Sequence, residues 1–354
     1  MKILFYLSKK YSIPIVNPLI DYLLKTNNDF ALYLSEKVRN ALPEEWKIFT
    51  ILNSVSEAKK FNPDFVIVPG NFVDPRIPGI KVEIFHGLGI EKKSHYKIRH
   101  FFDVYCTSGP FVTKKFNALQ KKYKYFSVIE TGWPKIDYIL NFPRNDLKTK
   151  FNIPKDKKII LYAPTHSRKM QSAEVLLPII PKIIRDDEFW LIKFHELMKK
   201  EIVDDFTKRS KKNVLPINSY DITPFLHLAD VLVSDTSSVI YEFMILDKPV
   251  VTFRTQDRID KGINIKEPQE LRTALDRSLA NPMEFHENRM KHLSEINPYR
   301  DGKTAKRIFE TLINLELPKK KKPINLFRKM QILYHEKRKR REENLGSFSC
   351  SSKK

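Results

Sequence analysis

Short apolar runs alternate with longer amphipathic stretches along the first half of the chain. The apolar runs predict β-strands at residues 3–7, 31–34, 48–52, 65–68, 81–85, 104–107 and 126–130. Helical spacing is present at residues 18–24, and Gly109-Pro110 opens a predicted helix that continues to Leu119. Strands that alternate with helices in this way indicate a parallel sheet with helices on both faces.

The same pattern restarts after a polar segment at residues 141–158, which we interpret as a domain linker. Further strands are predicted at residues 158–162, 190–194, 230–234 and 249–253, and a late helix at 303–315. The fold class is therefore α/β, with two successive doubly wound domains. We assign residues 1–142 to an N-terminal domain, 155–300 to a second domain, 301–318 to a closing helix and 319–354 to a partly disordered basic tail.

Length and composition are consistent with this division. The chain has 354 residues, 42% of them hydrophobic, which suits two domains with their own cores. The N-terminal apolar run ends at Ser8-Lys9-Lys10, too short for a signal core or a membrane span. Cys106 and Cys350 lie far apart in the sequence, so we expect no disulfide framework and a reducing compartment.

The net charge of +22 favours anionic partners, and the tail from Lys319 to Lys354 contributes +10 of it. Apolar residues at 326, 330, 333 and 334 fall near one helical face among lysines and arginines. This pattern suits an anionic membrane surface better than nucleic acid, for which no zinc or homeodomain motif is present. A solvated charged tail is the alternative interpretation, and a non-catalytic lipid- or nucleic-acid-binding protein stays open on charge alone.

The segment Asp235-Thr236-Ser237-Ser238 follows a predicted buried strand and opens a predicted helix. Free backbone N–H groups and the positive end of the helix dipole make such a site suitable for a diphosphate. The three hydroxyl groups add further hydrogen-bond donors. The alternative is that Asp235 or Thr236 only caps the helix.

Other polar residues also follow predicted strands, where ligands of open sheets bind. His86 precedes Gly87-Leu88-Gly89, and a histidine can act as a general base near neutral pH. Lys193, His195 and the loop that begins at Thr165 offer donors to a phosphate. Taken alone, each histidine is more often a structural or exposed residue, and the loop at Thr165 is equally compatible with a solvated loop. The sequence has no phosphate-binding P-loop, dinucleotide fingerprint, zinc helix or serine-hydrolase elbow, so we expect no metal or cofactor.

Several of these segments, in this order, resemble the CDP-glycerol glycerophosphotransferase family of teichoic-acid-type polymer synthesis. The resemblance is carried by Phe85-His86-Gly87, Thr131-Gly132-Trp133-Pro134-Lys135-Ile136-Asp137, Leu161-Tyr162-Ala163-Pro164-Thr165, Lys193-Phe194-His195 and residues 229–239, and extended by Lys248-Pro249-Val250 and Asp301-Gly302-Lys303. It implies a GT-B-like fold, two Rossmann-like domains with a cleft between them. It also implies transfer of a polyol phosphate from a CDP-activated donor to a hydroxyl of a polymer or lipid-linked acceptor.

The resemblance assigns roles residue by residue. It implies that His86 is the catalytic base and that eight further residues bind the donor. The donor-binding residues are His195, Lys193, Thr165, Asp235, Thr236, Ser237, Ser238 and Glu242. The implied partners are the CDP donor, the acceptor and, through the tail, an anionic membrane, with no nucleic acid, and the implied location is cytoplasmic, on the inner face of the cell membrane.

The sequence departs from the family pattern at four places. Leu88-Gly89 stands where Thr-Pro is usual, Thr236 where tyrosine is usual, Lys193 where arginine is usual and Glu196 where proline is usual. UDP-N-acetylglucosamine 2-epimerases are the second interpretation, although Ser237-Ser238 replace their paired glycines. A GT-B glycosyltransferase of capsule or lipopolysaccharide synthesis is the third.

Overall fold

The computed structural model describes residues 1–26, 28–165, 172–195, 198–209 and 213–324, together with Met330 and Tyr334. The strands are β1 Lys2–Leu7, β2 Asp29–Leu34, β3 Ile51–Leu52, β4 Phe65–Val68, β5 Ile80–Glu83, β6 Val104–Thr107, β7 Ser127–Glu130, β8 Lys158–Tyr162, β9 Glu188–Ile192, β10 Val214–Pro216, β11 Val231–Ser234, β12 Val250–Phe253 and β13 Ile263–Ile265.

The helices cover both sheets. They are α1 Ser12–Lys25, α2 Glu36–Arg39, α3 Val55–Phe61, α4 Pro110–Tyr123, α5 Pro134–Asn141, α6 Leu147–Lys150, α7 Ala173–Leu176, α8 Ile180–Ile183, α9 Lys200–Arg209, α10 Thr223–Leu228, α11 Val239–Met244, α12 Leu271–Ala280, α13 His286–Ile296 and α14 Thr304–Ile313. Short 3-10 helices lie at Glu44–Trp46, Lys93–Tyr96, Ile259–Lys261 and Pro268–Glu270. No helix of the described ranges is both long and apolar enough to cross a membrane.

The strands form two parallel sheets, one in each half of the chain. The first has seven strands in the order β3-β2-β1-β4-β5-β6-β7, and the second has six in the order β10-β9-β8-β11-β12-β13. Every adjacent pair is parallel. The predicted α/β class with two Rossmann-like doubly wound domains is therefore confirmed.

The order of strands reverses direction once in each sheet, between β1 and β4 in the first and between β8 and β11 in the second. The loops on either side of such a reversal diverge to opposite faces and leave a crevice at the carboxyl ends of the strands. Residues that follow β1, β4, β5, β8, β9 and β11 consequently face one cleft between the two domains.

The chain returns to the first domain after the second sheet. Helix α14 packs on α1 and α5, where the rings of Tyr22 and Phe309 stack with centroids 5.5 Å apart. The buried Asp137 carboxylate accepts hydrogen bonds from the Thr304 backbone N–H at 2.8 Å and from its hydroxyl at 2.9 Å. The predicted closing helix thus holds the end of the fold against the domain that begins it.

The start of the basic tail also lies on the first domain. The Lys322 ammonium donates to Asp103 at 2.8 Å and to the Phe101 carbonyl at 2.9 Å, and Lys320 donates to the Tyr123 carbonyl at 3.0 Å. These first lysines of the tail are therefore bound to the folded domain. The rest of the tail beyond Ile324, apart from Met330 and Tyr334, lies outside the described residues.

Some predicted boundaries are wrong by a few residues. The strand predicted at 48–52 is reduced to Ile51–Leu52, because Ile48 is 85% exposed and contributes nothing to the core. The strand predicted at 81–85 ends at Glu83 because the backbone turns at Phe85, which has a φ of 59°. The edge strands β10 and β13, three residues each, were not predicted at all.

Asp235 connects the loops that follow β8 and β11. Its enclosed carboxylate accepts hydrogen bonds from the Thr165 backbone N–H at 2.9 Å, and from the Ser172 backbone N–H and hydroxyl, both at 2.9 Å. Burial raises the pKa of Asp235, and these hydrogen bonds partly offset the rise. The buried side chain therefore holds together the two loops at the carboxyl ends of β8 and β11.

We predict that Asp235→Ala lowers the free energy of unfolding by at least about 2 kcal/mol, because Thr165 and Ser172 would keep buried donors without an acceptor. Urea unfolding followed by circular dichroism measures this difference. Ser237→Ala, two residues away with a half-buried hydroxyl, is the matched control and should change stability by no more than about 0.5 kcal/mol. Equal stability of the two variants would contradict the role given to Asp235.

Candidate functional site

A cavity of about 320 Å³ lies in the cleft between the two domains, within the size range of small-ligand sites. The described residues that line it are Lys9, Tyr11, Ala163, Pro164, Lys193, Phe194, His195, Tyr220, Ile222, Ser237, Ser238, Val239 and Glu242. Aromatic and aliphatic side chains form most of its wall, and lysines, a histidine, two serines and a glutamate form the rest. Such a lining suits a ligand with an aromatic ring and an anionic group.

The sheet topology explains why these residues meet. Lys9 and Tyr11 follow β1, the Ala163-Pro164 pair follows β8, Lys193 and His195 follow β9, and Ser237-Ser238 follows β11. All four strands lie at or beside the reversal of strand order in their sheet. A doubly wound sheet is expected to have a crevice at the reversal of its strand order. The cavity is formed where the crevices of the two sheets face each other.

Helix α11 begins directly after Ser238, which is its N-cap but makes no side-chain capping hydrogen bond. The two serine hydroxyls are half-buried and face the cavity. The interpretation that Asp235 or Thr236 merely caps this helix is thus wrong. Thr236 is half-buried, and neither it nor the buried Thr165 is among the described residues that line the cavity.

Glu242 reaches the cavity wall from α11 and forms an ion pair with Lys135 of α5, with Nζ and Oε2 2.6 Å apart. Both side chains are about nine-tenths buried. Because α5 belongs to the first domain, this pair joins the two domains beside the cavity. The Glu242 carboxylate therefore has a structural partner in addition to the ligand-binding role predicted for it.

His86 stands at the mouth of the cleft in an unusual turn. Phe85, directly before it, has a left-handed backbone with φ 59°, a conformation that non-glycine residues adopt at a cost of about 1–3 kcal/mol. The Trp133 indole N–H donates to the Phe85 carbonyl at 3.1 Å and holds this turn. Gly132, directly before Trp133, also has a left-handed backbone, with φ 88°. The Thr131-Gly132-Trp133 motif thus supports the His86 turn.

The His86 ring lies between the two domains. Its centroid is 5.6 Å from that of Tyr11, which lines the cavity. A Cβ atom built on Gly87 would lie 3.5 Å from the Ser238 hydroxyl oxygen. The first domain therefore presents His86 to the serine pair of the second.

The surroundings of His86 keep its imidazole neutral. The ring is solvent-exposed, yet the walls of the cleft desolvate it, and this desolvation, with the nearby Lys92 and Arg99 charges, lowers the pKa of His86 below 6.5. A neutral imidazole can accept a proton at neutral pH, which is the property required of a general base.

His86 lines a second, smaller cavity of about 100 Å³. The described residues that line it are Asn71, His86, Gly87, Gly89, Lys92, Ser94, His95 and Ser238. Ser238 also lines the larger cavity, so the two spaces adjoin at this residue. We call the smaller space the His86 chamber.

The structure brings together His86, Lys193, His195, Ser237, Ser238 and Glu242 of the predicted site residues. Residues 166–168 of the predicted loop after Thr165 lie outside the described residues, as does Glu196.

Four residues at or beside the cavities were not predicted from the sequence: Lys9, Tyr11, Asn71 and Lys135. The first three follow β1 and β4 in sequence, so the rule that ligands bind at the carboxyl ends of strands could have found them. Lys135 is identified by its ion pair with Glu242, a residue 107 positions away.

Comparison with known proteins is consistent with this geometry. The model of the family described as CDP-Glycerol:Poly(glycerophosphate) glycerophosphotransferase matches residues 88–314. A teichoic acid glycerol-phosphate primase of Bacillus spizizenii is 31% identical over 59% of this chain and 58% of its own length. A teichoic acid glycerol-phosphate transferase of Staphylococcus aureus is 32% identical over 36% of this chain and 35% of its own length. The matches thus span only about a third to three-fifths of these relatives.

Solved structures share the fold. The wall teichoic acid polymerase TagF superimposes with a TM-score of 0.66 and 18% identity, over 88% of each chain. The UDP-GlcNAc 2-epimerase of Neisseria meningitidis superimposes with a TM-score of 0.61 and 19% identity, over 89% of this chain and all of the epimerase. At these identities the likeness shows the GT-B architecture alone.

The family match covers more than half of the chain and includes the cavity-lining residues of the second domain. The chain belongs to the CDP-glycerol:poly(glycerophosphate) glycerophosphotransferase family.

Proposed function

We propose that this protein transfers a polyol phosphate, glycerol phosphate or a close analogue, from a CDP-activated donor to an acceptor hydroxyl. The observation that carries the proposal is the position of His86, a desolvated imidazole that lines the His86 chamber, which adjoins the larger cavity at Ser238. A base in this chamber can take a proton from a hydroxyl bound there while a donor occupies the adjoining cavity.

The larger cavity suits the nucleotide end of the donor. Phe194, Tyr220 and Ile222 offer apolar surface to a base and a ribose, and Lys193, His195 and the two serines offer donors to a diphosphate. Positive groups and hydroxyls placed around a diphosphate stabilise the charge that develops as it is cleaved. The buried Asp235 contributes by fixing the loops on either side rather than by contact.

The proposed reaction is a direct displacement. The acceptor hydroxyl attacks the β-phosphorus of the donor, a new phosphorus–oxygen bond forms, and the bond between that phosphorus and the bridging oxygen breaks. CMP leaves with the bridging oxygen, and His86 receives the proton of the hydroxyl. Closure of the two domains around the donor keeps water away from the phosphorus.

The relatives support the class of substrate. Their names include glycerol-phosphate primases and polymerases and a poly(ribitol-phosphate) polymerase, and a form of the wall teichoic acid polymerase was soaked with CDPG. The acceptor in this proposal is a lipid-linked or polymeric carrier at the inner face of the cell membrane. Met330 and Tyr334 of the tail, four positions apart, are 63% and 67% exposed, which supports contact of this basic segment with an anionic membrane.

We predict that His86→Gln lowers the rate of CMP release from CDP-glycerol by about 10²–10⁴-fold, the usual contribution of a general base. The variant should still bind CDP-glycerol with nearly the wild-type dissociation constant, because the donor cavity is unchanged. Radiolabel transfer and calorimetric titration measure the two quantities, with UDP-N-acetylglucosamine as the control ligand. Full turnover in the variant, or binding of the UDP-sugar alone, would refute the proposal.

The pH dependence offers a second test. A general base acts in its neutral form, so kcat/KM should be constant at neutral pH and fall as the pH drops through the pKa of His86. Because that pKa is lowered below 6.5, the acid limb should lie below pH 6.5 and be missing from the residual activity of His86→Gln. An acid limb above pH 6.5 in the wild type would contradict the assignment.

We predict that Trp133→Phe lowers kcat by about 10- to 100-fold, because it removes the hydrogen bond that holds the turn before His86. Trp190→Phe is the matched control, since it also removes an indole hydrogen bond in a buried site, to Glu188 at 3.2 Å, but away from His86. Steady-state kinetics and urea unfolding on both variants separate positioning from stability. A similar fall in kcat in the two variants would indicate general destabilisation.

A further inference from the structure

The proposed transfer reaction needs a site for its acceptor as well as for its donor, and the role inferred for the His86 chamber rests on that function. The chamber volume of about 100 Å³ is well below the roughly 300–1,000 Å³ of sites that enclose whole small molecules. The chamber therefore admits only the end of a molecule, a few heavy atoms long. A nucleotide or a sugar nucleotide belongs in the larger cavity.

Polar side chains line the chamber. Asn71 is half-buried on the loop that follows β4, and Lys92 and Ser94 are exposed at the start of the 3-10 helix Lys93–Tyr96. None of the three side chains forms a hydrogen bond or ion pair with another residue in the described ranges. Their donors and acceptors are thus available to a ligand that carries hydroxyl groups.

His95 adds a second imidazole to the chamber. Its ring stacks on Phe85, with centroids 4.7 Å apart, and so packs directly against the turn that presents His86. Burial, together with His86, Lys115 and Arg99, lowers the pKa of His95 to about 3. The ring is therefore neutral at physiological pH, and it can donate or accept a hydrogen bond without competing with His86 for the proton.

The charge of the chamber is positive. Lys92 lies on its wall, and no carboxylate is among the described residues that line it. Glu91, the nearest acid in sequence, accepts a hydrogen bond from Tyr241 and lies 4.0 Å from the Arg258 guanidinium. Glu91 is thus engaged across the domain interface, and the Lys92 ammonium is left to attract an anion.

We propose that the His86 chamber is the acceptor subsite, which receives the terminal hydroxyl of an acceptor whose last unit is joined through a phosphodiester, and that Lys92 binds that phosphate. The hydroxyl then lies beside the His86 imidazole, and the donor phosphorus lies beyond it near Ser238. A chain end that already carries a polyol phosphate is favoured over an uncharged alcohol.

The test compares two soluble acceptors that share the same terminal glycerol diol. One is octyl glycerol phosphate, an alkyl phosphodiester of glycerol, and the other is octyl glycerol, which lacks the phosphate. With CDP-glycerol as donor, the wild type should prefer the phosphodiester by at least tenfold in kcat/KM. Lys92→Gln should remove most of this preference and leave the KM for CDP-glycerol within twofold.

Lys93→Gln is the matched control, because Lys93 is an exposed neighbour outside the lining of the chamber. It should keep the wild-type preference. Both lysines carry the same charge and differ by one position, so a general electrostatic attraction of the acceptor would affect the two variants equally. Equal loss of preference in both would overturn the assignment of Lys92.

A steric variant tests the chamber without changing its charge. The backbone of Gly89 is not in the left-handed region, so other residues can adopt its conformation. A Cβ atom at this position would lie 3.7 Å from the Lys92 side chain, an ordinary van der Waals contact. Gly89→Val should therefore fold, fill part of the chamber and raise the acceptor KM at least tenfold. Its affinity for CDP-glycerol, measured by calorimetry, should be unchanged, and this measurement also verifies that the variant is folded.

The outcomes separate the two levels of the proposal. If the wild type transfers glycerol phosphate but Lys92→Gln and Gly89→Val alter the donor KM instead of the acceptor KM, the acceptor subsite is refuted and the transferase function stands. If the wild type uses no CDP-activated polyol with either acceptor, the function is refuted and the subsite with it.

Discussion

The ion pair between Lys135 and Glu242 fixes how the two domains face each other. Its two charges are 2.6 Å apart, about nine-tenths buried, and contributed by α5 of one domain and α11 of the other. Opening the cleft would hydrate both charges, so the pair adds little net free energy to closure. Sliding one dry surface along the other would leave two buried charges without partners, which costs several kcal/mol. The pair therefore selects one alignment of the domains.

The alignment matters because the proposed chemistry is divided between the domains. His86 is presented by a loop of the first sheet, and Ser237 and Ser238 by a loop of the second. Neither loop alone encloses a reaction centre. Two further hydrogen bonds across the interface also hold this alignment. They join the Tyr138 hydroxyl to the Asp221 carboxylate at 3.0 Å and the His227 ring to the Ile139 carbonyl at 2.8 Å. A small shift along the interface would separate His86 from the serine pair before it exposed much apolar surface.

The sequence predicted the class of fold because both sheets are parallel and buried on two faces, so that their central strands are continuous apolar runs. It missed the edge strands β10 and β13, which have three residues each and are too short to show a pattern, and it made the edge strand β3 too long. The site residues that follow β5, β8, β9 and β11 were found for the same reason that the strands were, whereas those that follow β1 and β4 were missed. Asp235 shows how far sequence reasoning reaches. The sequence correctly places the residue next to the site, but it does not reveal that the carboxylate points into the fold, where it accepts three hydrogen bonds.

Lys135 and Trp133 could not be recognised from the sequence because their partners are distant along the chain. Lys135 and Glu242 are 107 positions apart, and Trp133 and Phe85 are 48 apart. Nothing local in the Thr131-Gly132-Trp133 motif indicates that its indole holds another loop. The family resemblance identifies this motif without a reason for it, and the structure supplies one: a left-handed turn at Phe85 is costly, and a buried indole donor offsets part of that cost. The position of His86 therefore depends on a tryptophan that does not line either cavity.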